Sequence, residues 1–315
     1  MVREPTLGYI FIQLNSLVNF LNGCEDYHFY SLIKTMKAHP EQQYLDLVRD
    51  ILENGQEKTD PQKVGNLAVC GRQMRFNMED GFPLITTRSM KGSWKAMVYE
   101  LLWFLSGSTK LEDLHKNNVH LWDIWGTPEI CEKLGLEPGD LGPIYGKQWR
   151  AFDGGGDKPV DQIQRLIDDL KVNPDSRRLI VSSWNPVDAD RVFVAPCHCF
   201  FKFFHAKGEL SLHLFQRSGD VPIGIPFNIA EYSLLLMMVA QVTGLRAKEF
   251  VHTISDAHIY LDQVEAMKEL LTREPKPFPT VKINPAVKNI FDFKFEDFEL
   301  LNYEAEPKIK IPVGL

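Results

Sequence analysis

The segment Ile229 to Thr243 is apolar nearly all round, and it constrains this chain more than any other stretch. A helix with no polar stripe has no face to give to water, so it belongs at the centre of the fold. Just upstream, Phe193 to Phe204 and Leu210 to Gln216 read as two adjacent strands joined by His205-Ala206-Lys207-Gly208-Glu209. Leu210, Leu212 and Leu214 alternate with Ser211, His213 and Phe215, which implies one buried face. This hairpin predicts that Cys197 at one end and Arg217 at the other share one edge of the sheet.

Earlier in the chain, Leu45, Val48, Ile51 and Leu52 recur at helical spacing, and Asn54-Gly55 supplies a stop. Leu67 to Gly71 and Met74 to Met78 read as two short strands joined by a turn, and Leu84 to Thr87 as an extension of the sheet. A helix follows over Ser93 to Leu105, with Met97, Leu101, Phe104 and Leu105 inward. Glu100 falls among those apolar residues. It either points to water or is a buried carboxylate that must be paired or neutral. Gly126 to Gly139 reads as an excursion of mixed charge. Val160, Ile163, Leu166, Ile167 and Leu170 trace a helical face, and Leu179 to Trp184 a strand. Phe250 to Tyr260 reads as a strand and Leu261 to Leu271 as an amphipathic helix.

The 315 residues, 44% hydrophobic and 24% charged, allow one large domain or two ordinary ones. A net charge of −7 leaves no global basic field for DNA or an anionic membrane, so any phosphate site must be local. The five scattered cysteines suggest no disulfide framework, and a reducing cytoplasmic location is expected. Cys197-x-Cys199 lacks a second pair at zinc spacing, so no metal is expected. Residues 1–43 read as an N-terminal extension without the pattern of a signal peptide or a membrane span, ahead of a domain over 44–315.

The chemistry-bearing residues cluster. Cys197 is a candidate nucleophile beside His198, and a thiolate is favoured by neighbouring cations. Arg217 is a fork for phosphate or carboxylate, and Asn228 offers a donor and an acceptor side by side, or caps the following helix. Trp122 and Trp125 flank a carboxylate and fit either a stacking platform for a flat heterocycle or a pair of core anchors. Arg177 and Arg178, at the mouth of a strand, point to opposite sides and fit an anion, a partner chain or solvent.

Taken together, the motifs resemble the folate-dependent thymidylate synthase family. They are, in order, Glu100-Leu101-Leu102-Trp103-Phe104-Leu105, Trp122-Asp123-x-Trp125, Gly142-Pro143-Ile144-Tyr145-Gly146-Lys147-Gln148-Trp149-Arg150, Pro196-Cys197-His198, Gln216-Arg217-Ser218-x-Asp220, Pro226-Phe227-Asn228-Ile229-Ala230 and Asp256-Ala257-His258-x-Tyr260. The resemblance implies an α+β, three-layer fold whose central mixed sheet packs against the partner subunit's sheet in an obligate homodimer. It also implies reductive methylation of dUMP with 5,10-methylenetetrahydrofolate as cosubstrate. By resemblance, Cys197 is the nucleophile, with Glu100, Tyr145, His198, Asn228 and Asp220 as further catalytic residues. Gln216, Arg217, Ser218, Asn228, His258 and Tyr260 would hold dUMP, and Arg177 and Arg178 would reach the phosphate of the partner's site. Trp122, Trp125, Asp220 and Leu315 would face the folate, and Val313 to Leu315 would close over the site.

Three departures stand out. Asp60-Pro61-Gln62-Lys63 occupies the place of Asp-Arg-Thr-Gly, so Lys63 is the candidate replacement for a phosphate arginine. A short insertion containing Gly92 and Trp94 precedes Glu100, and Gly219 stands where Cys is frequent. Two other readings share the motifs. A pyrimidine-nucleotide hydroxymethylase on the same fold would end in water addition, and an inactive homologue would bind RNA or protein.

Overall fold

The computed structural model describes residues 38–59 and 64–313. In chain order the elements are α1 (Gln42–Asn54), β1 (Gln56–Lys58), β2 (Asn66–Asn77), α2 (Trp94–Ser106), α3 (Leu111–His115), α4 (Pro128–Leu134), α5 (Tyr145–Arg150) and α6 (Gln162–Val172). They continue with β3 (Ile180–Ser182), β4 (His198–Ala206), β5 (Glu209–Asp220), α7 (Gly224–Thr243), β6 (Arg246–Tyr260), α8 (Val264–Leu270), β7 (Thr280–Ile283) and β8 (Phe298–Leu301). Six strands form one sheet in the order β1-β2-β6-β5-β4-β3, and β7 pairs with β8 separately. Only β5 and β6 run parallel, so the sheet is mixed and the class is α+β.

The apolar run makes up the rest of α7 beyond Asn228, and this helix is the crossover between the two parallel strands. It is long and apolar enough to cross a membrane, yet it is buried inside the protein. It packs on β5 and β6, and α2 and α6 pack on it in turn. Leu210, Leu212 and Leu214 are fully buried beneath it. The opposite face of the sheet is open among the described residues. There Phe200 stacks on Phe215 at 5.4 Å, and Phe200, Phe204 and Trp184 are exposed.

Several sequence expectations change. Asn66 to Asn77 is one strand, not two, because the pairing with β6 resumes past Gly71, whose left-handed φ of 67° glycine takes without strain. The β4–β5 turn is tighter than expected. Ala206 pairs with Glu209, which leaves Lys207 and Gly208, both at positive φ, as a two-residue turn. The strand expected from Phe193 begins only at His198, since Pro196 has no amide hydrogen and the Arg217 side chain takes the carbonyls of Ala195 and Pro196. Gly126 to Gly139 contains α4, started by Pro128 and stopped by Gly135 in the left-handed region. Val160 lies outside α6, exposed and bridged to Phe152.

Leu84 to Thr87 joins no sheet. The buried Glu41 carboxylate accepts from the backbone and hydroxyl of Thr86 (2.8 and 2.6 Å) and of Thr87 (2.9 and 2.6 Å). These donors are committed to a side chain and cannot enter a ladder. The insertion becomes a 3-10 turn, Lys91–Ser93, and Trp94 packs edge-on against Phe82 at 5.7 Å. Ile225 fills the space beside Gly219, where a Cβ would lie 2.6 Å from its Cδ1. Replacing Glu41 by Ala should therefore cost about 3 kcal/mol or more, because four buried donors lose a charged acceptor. Urea unfolding measures this, and a loss below about 1 kcal/mol would contradict the anchoring role.

Candidate active site

The sheet register brings the singled-out residues to one end. His198 pairs with Gln216 across β4 and β5, and Ser218 and Asp220 pair with Asp256 and His258 across β5 and β6. A register shift between His198 and Phe200 lets the chain leave β4 beside Arg217, whose backbone amide donates to the Cys197 carbonyl (2.9 Å). Asn228 is the fifth residue of α7, buried above this end, so it is not the helix cap.

Cys197 is half-buried. Its amide donates to Tyr145 Oη (2.9 Å), which fixes the thiol-bearing backbone to α5. Arg217 Nη2 lies 3.7 Å from Sγ and also donates to the Ala195 carbonyl (2.6 Å), while Nε donates to the Pro196 carbonyl (3.0 Å). Burial pushes the Cys197 thiol up, and Arg217 and the Tyr145 bond pull it back only in part. The single-chain surroundings therefore do not by themselves favour the thiolate. The half-buried Cys199 is turned toward the Cys197 carbonyl (3.7 Å).

Behind the thiol runs a polar seam. His252 Nε2 meets Gln216 Oε1 (2.8 Å), and Gln216 Nε2 donates to Asn228 Oδ1 (3.1 Å) and to the Ser218 carbonyl (2.9 Å). Such an arrangement fixes which way the Asn228 carboxamide faces. His198 lies beside Asn228, between the Tyr145 and Tyr232 rings, 4.9 and 5.2 Å away. Burial drives His198 down to about 4 and His252 to about 3, so both are neutral imidazoles near pH 7.

Glu100 is buried and does not point to water. Its Oε1 accepts from Trp122 Nε1 (2.5 Å), and burial raises its pKa. Trp122 and Trp125 meet edge-to-face at 5.1 Å and, with Leu141, Ile144 and Phe193, line a shallow apolar pocket. Asp123 between them is tied to His115 (2.6 Å) and His120 (2.8 Å). At the far side, Asp220 accepts from the Ile223 amide (3.2 Å), and burial raises its pKa despite the nearby His258. His258 Nδ1 meets Asp256 Oδ1 (3.1 Å) and its ring abuts Tyr260. The Asp256 carboxyl, hydrogen-bonded by His258 and Lys58, is lowered to about 2.

Arg177 and Arg178 are not brought to Cys197 within one chain. Both are exposed ahead of the edge strand β3, and Arg178 lines a separate cleft with Phe152 and Arg165. Lys63 and Leu315 lie outside the described residues. Three residues entered no sequence prediction of the site. Glu231 had a legible signal, an acid inside the apolar helix three residues beyond Asn228. His252 lay on a predicted strand. Asp256 stood within a motif, with its link to Lys58 hidden by a separation of 198 residues.

Residues 42–315 match the sequence model of the thymidylate synthase family, and the chain belongs to that family. It is thereby an enzyme type of nucleotide biosynthesis whose members generally use methylenetetrahydrofolate.

The two buried histidines predict an acid-side loss of stability. The unfolded chain binds their protons near 6.5, whereas the native protein resists until about 4 and about 3. Between those values the unfolded state holds more protons, so stability falls as pH drops. His252→Gln should flatten the fall of Tm between pH 6.5 and 4, and an unchanged slope would contradict the assignment.

Proposed function

We propose that this protein is a thymidylate synthase, converting dUMP to dTMP with 5,10-methylenetetrahydrofolate and releasing dihydrofolate. The observation that carries this reading is the alignment of a half-buried thiol, a guanidinium 3.7 Å from it and a carboxamide of fixed orientation at one end of the sheet. A thiol there suits addition to an electron-poor ring carbon, a guanidinium suits a phosphate, and an Asn suits the N3–H and O4 pair of uracil.

In the proposed reaction Cys197 Sγ adds to C6 of the pyrimidine, and the C5–C6 π pair moves onto O4. C5 thereby becomes the nucleophile. Arg217 and Ser218 hold the phosphate, His258 and Tyr260 meet the sugar, and the neutral His198 supports Asn228. Glu100 and Tyr145 hold and move protons near the ring. The apolar Trp122–Trp125 pocket and the Asp220 carboxylate fit a flat, hydrogen-bonding pterin. The folate supplies the carbon and the hydride. Excluding water from the site matters, because its entry would give a hydroxymethyl product.

The proposed assembly is a homodimer through the open sheet face. Its stacked Phe200 and Phe215 and exposed Phe204 need cover. Arg177 and Arg178 then reach the partner's phosphate site, which accounts for two exposed arginines at an edge strand.

Incubation with dUMP and methylenetetrahydrofolate, followed by mass analysis of the nucleotide and absorbance of the folate, tests the reading. The expected products are dTMP and dihydrofolate. Hydroxymethyl-dUMP with tetrahydrofolate, or no turnover of either substrate, would overturn it.

A further inference from the structure

Two carboxyl groups, not one, lie behind Asn228. Glu231 stands one helical turn after Asn228 on α7, and Glu100 faces it from α2, which packs across α7. All three side chains are buried, Glu231 most deeply at 3% exposure. Trp122 Nε1 donates to Glu100, while Glu231 Oε1, among the described residues, receives no hydrogen bond from any ordinary donor. The two carboxyls bear on each other's titration across the two helices. Like charges buried together cannot both persist, and ionised carboxylates only accept, so a hydrogen bond between the two requires a proton on one of them.

The surroundings say which one carries it. Burial raises both groups, but the Trp122 and Glu231 bonds pull Glu100 back. Glu231 is pushed well above the usual carboxylate range by burial, by the Glu100 charge and by the bond between them. Its other contact is Asn228, whose Oδ1 is already committed to Gln216. We infer that Glu231 is a positioning residue, a neutral acid that donates its proton to the Glu100 carboxylate and accepts from the Asn228 carboxamide. One side chain thus holds Glu100 as an anion able to take a proton and keeps Asn228 facing one way. The inference rests on the proposed function for its catalytic meaning, and its structural part stands without it.

The other titratable groups here do not confuse the assignment. Burial keeps Tyr145, Tyr232 and the Cys197 thiol in their protonated forms and His198 in its neutral form near pH 7. Arg217 is the cation that bears on Cys197 and Tyr145. Above the titration of the pair, two buried anions would face each other, so activity falls as pH rises.

Infrared difference spectroscopy of the free protein near neutral pH reads the proton directly, through the carbonyl stretch of an un-ionised carboxylic acid. A component of that band should be present in the native protein, lost in Glu231→Gln and retained in Glu100→Gln. Its persistence in Glu231→Gln, or its loss in Glu100→Gln, would overturn the inference even if the protein turned over no dUMP. In the turnover assay, Glu231→Gln keeps a donor and an acceptor and should stay within about ten-fold of the native rate at pH 7, without the alkaline fall. Glu231→Leu should lose about a hundred-fold or more in kcat. Should the leucine variant fail to fold, the glutamine profile decides, and a profile superimposable on the native one would overturn the assignment.

Discussion

Desolvation is the constraint on which the active-site end of this protein depends. The thiol of Cys197, the carboxyls of Glu100, Glu231 and Asp220, and the imidazoles of His198 and His252 are all taken from water, and burial is the largest influence on each. A buried charge is costly, so each group is neutralised or paired. The histidines give up their protons, Glu231 keeps one, and Arg217 spans the carbonyls of residues 195 and 196 while approaching the thiol. The result is a site whose few standing charges are partnered, so that charge developing during a reaction would meet mainly groups already fixed in place.

The fold creates that environment through one topological choice. Parallel pairing of β5 and β6 forces a crossover, the crossover is α7, and α7 is apolar enough to seal the sheet beneath it. Near its start it carries Asn228 and Glu231 inward. These meet Gln216 from β5, Glu100 from α2 and, through Gln216, His252 from β6. The opposite face of the same sheet is left with exposed aromatics, the kind of surface that monomeric proteins rarely keep.

Much of this was legible in the sequence because it is periodic. The apolar helix, the leucine alternation of β5 and the closeness of Cys197 to Arg217 follow from local pattern and one hairpin. Other features depend on partners far along the chain. Leu84 to Thr87 carries the β-branched residues of a strand, but Glu41 claims its donors. Gly71 reads as a turn, yet the pairing with β6 continues on both sides of it. The burial of Glu100 is decided by Trp122 and by Glu231 on another helix. Sequence reasoning from the cationic neighbours of Cys197 also underweighted burial, which prevails within one chain.

That imbalance is the centre of the account. One chain offers Cys197 a single guanidinium, and in the proposed homodimer the arginines of a second chain supply the rest. The most direct measurement mixes a Cys197→Ala chain with an Arg177→Ala/Arg178→Ala chain, each inactive or nearly so alone, and follows dTMP formation after subunit exchange. Random pairing gives one complete site in half of the dimers, so about a quarter of native activity should return. No recovery in a mixture proven to contain heterodimers would contradict the shared site.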